Sequence, residues 1–289
     1  MKTGAGKRAL ITGAGTGIGR CTAREFAQAG YDLVLTDINA DALEDVAGEL
    51  RALGAQVHTR ALDVSSRAQV EELARWVIDD LGGLDVLVNN AGIGYAGELS
   101  QTPIETWERL VAVNFWGPLY HMYAFLPHMI ERRSGQIANV SSGQAFFRLP
   151  TWGAYATVKA ALGAVSEILQ VEVRKYGVRV TTIYPFMVNT GFYKDVESKT
   201  FGQKLSMRLV PYYSMKPETV GRIVFKAVSR KKKVEMVSII NSVGSIAKAL
   251  PLVGDGMALM ANWFLAGGAQ EKTRQESAKP SPAAQAMAS

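Results

Sequence analysis

Residues 7–39 read KRALITGAGTGIGRCTAREFAQAGYDLVLTDIN, and the order of events along them decides the fold. The short apolar run Ala9 to Ile11 feeds a glycine-rich turn from Thr12 to Gly19, and a helical pattern carrying Phe26 and Ala27 follows. Strand, glycine turn and helix in that order build a dinucleotide site. Glycines let the backbone approach a pyrophosphate, and the helix N-terminus offers unpaired N–H groups and positive dipole. Gly13, Gly17 and Gly19 form TGxxxGxG, with Thr16 and Ile18 inside the turn; Ile18 rules out GxGxxG counted from Gly13. The second strand, Asp32 to Thr36, ends at Asp37, eighteen residues beyond Gly19. A carboxylate there accepts hydrogen bonds from an adenosine ribose and repels a 2′-phosphate. Thr16 supplies no cation to offset that repulsion, and Arg20 points either toward it or to solvent. The reading favours NAD, with NADP as the alternative.

A second constellation lies in GAYATVKAALGAVSEIL, where Tyr155 and Lys159 follow thirteen and seventeen residues after Ser142. The segment is rich in Ala and Leu and reads as a helix, so the i,i+4 spacing puts both side chains on one face. An ammonium beside a phenol favours the phenolate. A Tyr tuned in this way exchanges a proton with an alcohol near neutral pH, which an ordinary Tyr at about 10 does poorly. Taken alone, YxxxK is weak, because Tyr and Lys are common on solvated helix faces; the glycine turn is what gives it weight.

Strands and helices alternate along the chain. Gln56 to Ala61 and Val86 to Asn89 read as buried strands. A helix between them opens at Ser66-Arg67-Ala68-Gln69, the pattern of a capping box. Another opens at Thr102-Pro103-Ile104-Glu105 with a cap, a first-turn Pro and a Glu. Gly135 to Val140 makes the strand that carries Ser142 at its carboxyl end, and Arg179 to Tyr184 makes the next, closed by Pro185. Repeated βα units imply an α/β fold, a doubly wound parallel sheet of Rossmann type with helices on both faces. Ligands lie at the carboxyl ends of such strands, where these motif residues fall.

With these residues together, the chain resembles the short-chain dehydrogenase/reductase family across roughly residues 5–240. The resemblance rests on TGAGTGIG at 12–19, Asp63-Val64 after the third strand, NNAG at 89–92, Asn114 in VNFWG, Ser142, YATVK at 155–159, and Pro185 to Thr190. It implies a catalytic tetrad of Asn114, Ser142, Tyr155 and Lys159. In that reading Tyr155 exchanges the proton while hydride moves to or from the nicotinamide. Lys159 also holds the nicotinamide ribose, Ser142 donates a hydrogen bond to the substrate oxygen, and Asn114 orders a water that relays the proton. The family's spacing selects Ser142 over its neighbour Ser141. Asp63 and Val64 would bracket the adenine, and Asn90, Ala91 and Gly92 would line the cofactor and stabilise the sheet. The family commonly has Pro-Gly after the sixth strand, whereas Phe186 follows Pro185 here. A Phe cannot freely take backbone angles open to Gly, so a differently shaped loop is expected. The hydroxysteroid and retinol dehydrogenase branch shares a larger residue there and a similar VNTGF ending. By that analogy Val188 and Thr190 contact the carboxamide.

Composition fits one large domain: 289 residues, 48% hydrophobic, net charge +6. The single cysteine, Cys21, cannot form an internal disulfide, which suggests a reducing, cytoplasmic compartment; helix packing explains it better than chemistry. His58, His121 and His128 lack metal-ligand spacing, so no metal site is expected. His121 and His128 read as polar positions on an amphipathic helix, with a place near the substrate or a subunit contact as the alternative. No cleavable signal and no spanning run is read. The basic cluster Arg230 to Lys233 has no aromatic-interleaved surface around it, so no nucleic-acid partner is expected; it reads as a solvated lead into the last strand.

The substrate is inferred from apolar residues. Phe192, Tyr193, Phe201, Leu205, Met207, Leu209, Val210, Tyr212 and Tyr213 lie between Thr190 and Met215, and Phe146, Phe147, Leu149 and Trp152 form a second patch between Ser142 and Tyr155. Apolar clefts with few polar groups suit lipophilic ligands, here a steroid, retinoid or long-chain alcohol or its carbonyl. The expected organisation is one dehydrogenase-like domain over 1–268, with a lid at about 190–216, a helical extension at about 242–268, and a disordered tail at 269–289. The extension reads as a pocket lid, a subunit contact of a homo-oligomer (dimer or tetramer), or a peripheral membrane contact. A non-catalytic NAD-binding redox sensor or scaffold is the alternative function; an intact tetrad argues against it, since a pure binder needs no proton donor.

Overall fold

The computed structural model describes residues 4–190 and 214–238. The described chain runs β1 (Arg8–Thr12), α1 (Gly17–Gln28), β2 (Asp32–Asp37), α2 (Ala40–Ala52), β3 (Val57–Ala61), α3 (Arg67–Arg75), β4 (Val86–Asn89), α4 (Ile104–Val111), α5 (Gly117–Glu131), β5 (Gly135–Val140), α6 (Gln144–Phe147), α7 (Gly153–Val173), β6 (Val178–Tyr184), α8 (Pro217–Ser229) and β7 (Val234–Met236). The seven strands form one sheet in the order β3-β2-β1-β4-β5-β6-β7, and every pairing is parallel. Strand order reverses between β1 and β4, so the connections leaving them diverge and a crevice opens at their carboxyl ends.

Both faces of the sheet are covered, which is why its strands read as near-continuous apolar runs. In β1, Ala9 and Ile11 join the core built with Phe26 of α1, Leu43 of α2 and Val224 of α8. Leu10 points the other way, into the core of Val70 from α3 and Phe125 from α5. Phe26 is fully buried with edge contacts to Tyr31 and Phe225, at 4.9 and 5.0 Å between centroids. Burying such a side chain contributes about 1.5–3 kcal/mol. α1 and α8 pack so closely that a Cβ on Gly221 would lie 2.7 Å from the Cys21 backbone. Burial also raises the Cys21 thiol above its ordinary pKa, in keeping with a packing role.

Two helix starts differ from the sequence reading. Ser66 sits at the N-cap of α3, but its side chain makes no capping bond. Instead the Gln69 side-chain oxygen accepts from the Asp63 N–H at 3.0 Å, because Asp63 has drawn the preceding turn tight by accepting from the Ser65 N–H and hydroxyl. Pro103, not Thr102, occupies the N-cap of α4, and the Thr102 hydroxyl donates back to the Glu98 carbonyl at 2.9 Å. Arg230 to Lys233 form an exposed turn leading into β7. Among the described residues no helix is long and apolar enough to cross a membrane. The lid residues from 191 to 213, the extension at 242–268 and the tail at 269–289 lie outside the described residues.

Candidate active site

The glycine turn has the backbone its spacing requires. Gly13 and Gly17 adopt φ of +64° and +54°, a region costly for any residue with a Cβ. A Cβ on Gly19 would fall 2.0 Å from the Gly13 carbonyl oxygen, so α1 can close on the turn only with glycine there. The turn is latched to the end of β4. The Thr12 hydroxyl oxygen accepts from the N–H groups of Asn90 and Ala91, both at 3.0 Å, and the Asn90 amide donates to the carbonyls of Thr12 and Gly13 at 3.0 and 3.1 Å. Asn89 turns the other way and donates to Asn139, which donates to Ser166, each at 2.8 Å; this buried chain ties β4, β5 and α7 together.

At the end of β2, one Asp37 oxygen accepts from the Gly15 N–H at 2.9 Å and the other from the Asn39 N–H at 3.0 Å. The carboxylate is thereby fixed against the glycine turn. Arg20 pairs with Glu49 at 2.7 Å, and Arg24 shares that carboxylate at 3.6 Å. Arg20 is thus engaged on α2 rather than with Asp37.

Tyr155 and Lys159 lie on the first two turns of α7, both buried. The Lys159 ammonium donates to the Val140 carbonyl at 3.0 Å and sits 5.9 Å from the centre of the Tyr155 ring. Desolvation by burial lowers its pKa to about 8. The two adjacent serines have different jobs. Ser141 donates its hydroxyl to the Lys159 backbone carbonyl at 2.7 Å, holding α7 to the end of β5. Ser142 accepts the Gln144 N–H at 3.2 Å, which leaves its own proton to donate elsewhere.

Asn114 lies in a π-turn, Ala112–Trp116, that joins α4 to α5. Its amide clamps Ile93 on both sides, accepting from its N–H at 3.1 Å and donating to its carbonyl at 3.0 Å. A Cβ on Gly92 would lie 2.7 Å from the Asn114 side-chain oxygen and 3.3 Å from the Lys159 ammonium, so that glycine is what lets the NNAG turn approach Asn114 and Lys159.

One cleft of about 520 Å³ takes in both ends. Every catalytic or cofactor residue read from the sequence lines it except two. Gly19 stands behind the glycine turn, and Asn114 behind Gly92 and Ile93. Thr190 brings its methyl group within 3.2 Å of a Cβ built on Gly17, so the end of the 185–190 segment meets the glycine turn. Phe186 was expected to disturb this segment, but the left-handed residue is Met187, at φ +51°. Phe186 packs on Phe147, with 4.6 Å between centroids, and lines the cleft. The apolar patch divides: Phe146 turns onto Tyr184 at 4.5 Å, whereas Trp152 lines the cleft 5.8 Å from the Tyr155 ring. Sequence reasoning missed Thr12, Ile93, Arg109 and Gln144. The signal for Gln144 was a lone amide ahead of the apolar run Ala145 to Phe147.

The histidine reading needs correction. His121 is no polar position on an amphipathic face: it is fully buried on α5, its Nδ1 2.8 Å from the Gly117 carbonyl, and burial lowers its pKa to about 4. His128, partly buried, lies 3.4 Å from an Arg132 guanidinium nitrogen. No group of three His, Cys, Asp or Glu that could hold a metal occurs among the described residues.

The chain belongs to the short-chain dehydrogenase family, whose model matches residues 7–200. It is 37% identical over 238 residues to the probable oxidoreductase EphD of Mycobacterium tuberculosis; the match covers 79% of this chain but only 40% of EphD. It is 34% identical over 253 residues to human estradiol 17-beta-dehydrogenase 11, covering 86% of this chain and 81% of that one. A solved short-chain dehydrogenase/reductase from Burkholderia phymatum, in complex with NAD, superimposes with a TM-score of 0.79 at 27% identity, over 86% of this chain and 95% of that one.

Proposed function

We propose that this protein is an NAD-dependent oxidoreductase that interconverts a hydrophobic alcohol and its carbonyl, of steroid, retinoid or long-chain type. The observation that carries the reading is the buried Lys159 ammonium beside the Tyr155 ring, with Ser142 at the end of β5 in the same cleft. Gly13, Gly17 and Ile18 would hold the pyrophosphate, and Asp37 the adenosine ribose. Asp63 and Val64 would hold the adenine, and Val188 and Thr190 the carboxamide. The nicotinamide supplies the hydride acceptor in oxidation and the donor in reduction.

The protein's own groups handle the proton. Tyr155 takes it from the alcohol as phenolate and returns it in the reverse direction. Lys159, held by the Val140 carbonyl, favours the phenolate electrostatically. Ser142, its oxygen already accepting from Gln144, donates to the substrate oxygen as charge develops there. Asn114 positions Ile93 and the NNAG turn, and orders the water that carries the proton outward. The apolar side chains of Ile93, Trp152, Phe186 and Met187 along the cleft support a lipophilic substrate, as does the name of the estradiol dehydrogenase relative. Residues 190–216 and 242–268 would complete its cover. The exposed apolar side chains of Tyr123 on α5 and of Ile168 and Val171 on α7 support a homo-oligomer.

Asp37 tests the cofactor assignment. Its charge faces the cleft, and Arg20 is engaged by Glu49. Wild-type kcat/KM is therefore expected to be at least about tenfold higher with NAD(H) than with NADP(H), and Asp37→Ala to narrow or reverse that gap. Steady-state kinetics with both cofactors checks this; equal or better use of NADP(H) by the wild type contradicts it.

A further inference from the structure

Gln144 opens α6 between Ser142 and Trp152 as the one amide in the run Gln144 to Phe147. Its residue is 5% exposed, and it lines the cleft alongside Ser142, Trp152 and Tyr155. Two hydrogen bonds fix it: its backbone N–H donates to the Ser142 hydroxyl oxygen, and its side-chain oxygen accepts from the Leu149 N–H at 3.2 Å. A backbone N–H can only donate, so the group facing Leu149 must be the amide oxygen, and the amide NH2 is turned away from it. Among the described residues no acceptor meets that NH2, and it is not sealed off from the cleft.

That NH2 opens on the cleft, so a molecule that fills the cleft and displaces its water must offer it an acceptor or leave it unpaired at a cost. Among the described lining residues the cations are Arg109, on α4, and Lys159, already bonded to Val140. The amide itself is neutral, and it matches a neutral oxygen. Cα atoms two residues apart are at most about 7 Å from each other. The Ser142 hydroxyl and the Gln144 amide therefore address one small region of a bound molecule.

We infer that Gln144 is a specificity-determining residue that donates a hydrogen bond to a second, neutral oxygen of the substrate, a few bonds from the reacting carbon. The inference rests on the oxidoreductase reading and sharpens it: the substrate is a hydrophobic secondary alcohol that carries another oxygen acceptor, as in a vicinal diol, a hydroxy ketone or a β-hydroxy ester. A site built to hydrogen-bond a substrate oxygen rejects the analogue lacking it far more strongly than an apolar pocket does.

The experiment compares a long-chain secondary alcohol with its vicinal diol and β-hydroxy ester of equal chain length. The wild type is expected to show a kcat/KM at least about tenfold higher for one of the two-oxygen substrates, the scale of one net hydrogen bond. Gln144→Glu keeps the acceptor for the Leu149 N–H and removes the donor, so the ratio of two-oxygen to one-oxygen substrates should collapse toward unity. Gln144→Met should do the same; a ratio lost only in Gln144→Met would mark a structural role and overturn the inference. A second measurement does not depend on turnover: quenching of bound NADH fluorescence by the matched mono-ketone and vicinal diketone should show tighter diketone binding to the wild type and equal binding to Gln144→Glu. Turnover without a two-oxygen preference sinks the role of Gln144 alone. A binding preference lost in Gln144→Glu, without turnover of any alcohol, sinks the oxidoreductase reading and sustains the role of Gln144.

Discussion

Tyr155→Phe is expected to lower kcat by at least about 100-fold, the lower end of what a positioned acid–base group contributes, while the Kd for NAD stays nearly unchanged. The split follows from where the ring sits. Its carbon framework packs with Leu110, Ala154 and Val158, and against the Trp152 ring at 5.8 Å. The phenyl ring of the variant keeps those contacts, and only the hydroxyl is lost. Stopped-flow or steady-state NADH formation, with NAD binding followed separately by calorimetry, reads the two effects independently. Retention of most of the turnover would remove Tyr155 from the chemistry; a parallel loss of NAD binding would show that the hydroxyl holds the cofactor rather than moving the proton.

Lys159→Met should lower kcat at least as far, about 100-fold or more, because it removes the charge that favours the phenolate. It should also change how stability depends on pH. Burial lowers Lys159 from 10.5 to about 8. Between those values the unfolded chain binds the proton more often than the folded one, so stability rises with pH through that window. Below about pH 8 the whole penalty for burying the ammonium is present. The Met variant has no such group. The Tm difference between wild type and variant, measured without cofactor from pH 7 to 10.5, should therefore shift in favour of the wild type as pH rises. Parallel Tm curves would mean that Lys159 keeps its ordinary affinity for the proton.

What could be read from the sequence was whatever lies close together along the chain. The strand, turn and helix of residues 8–28 gave the fold class, because glycine spacing and apolar runs report local backbone needs. The structure places Gly13 and Gly17 in the conformations that spacing demands. Tyr155 and Lys159 were equally legible, since an i,i+4 pair shares a helix face wherever the helix is placed. The contacts that organise the cleft were not, because they join distant residues. Thr12 holds Asn90 and Ala91 across 78 and 79 positions, and Asn114 clamps Ile93 across 21. His121 shows the same limit from another side: helical spacing cannot say that α5 is covered on the face that carries it. At Ser66 the local pattern pointed to a capping box, but a competing turn at Asp63 captured Gln69. The backbone adjustment expected at Phe186 falls one residue later, on Met187, which frees the Phe186 ring to pack on Phe147.

The most direct test of hydride chemistry in this cleft is isotopic. A hydrophobic secondary alcohol deuterated at its carbinol carbon is incubated with the protein and NAD, and the NADH formed is examined by mass spectrometry. The account predicts deuterium in the nicotinamide ring of the NADH, with the label absent when Tyr155→Phe replaces the wild type over the same time. Unlabelled NADH from the wild type, or labelled NADH formed equally fast by the Phe variant, would contradict it.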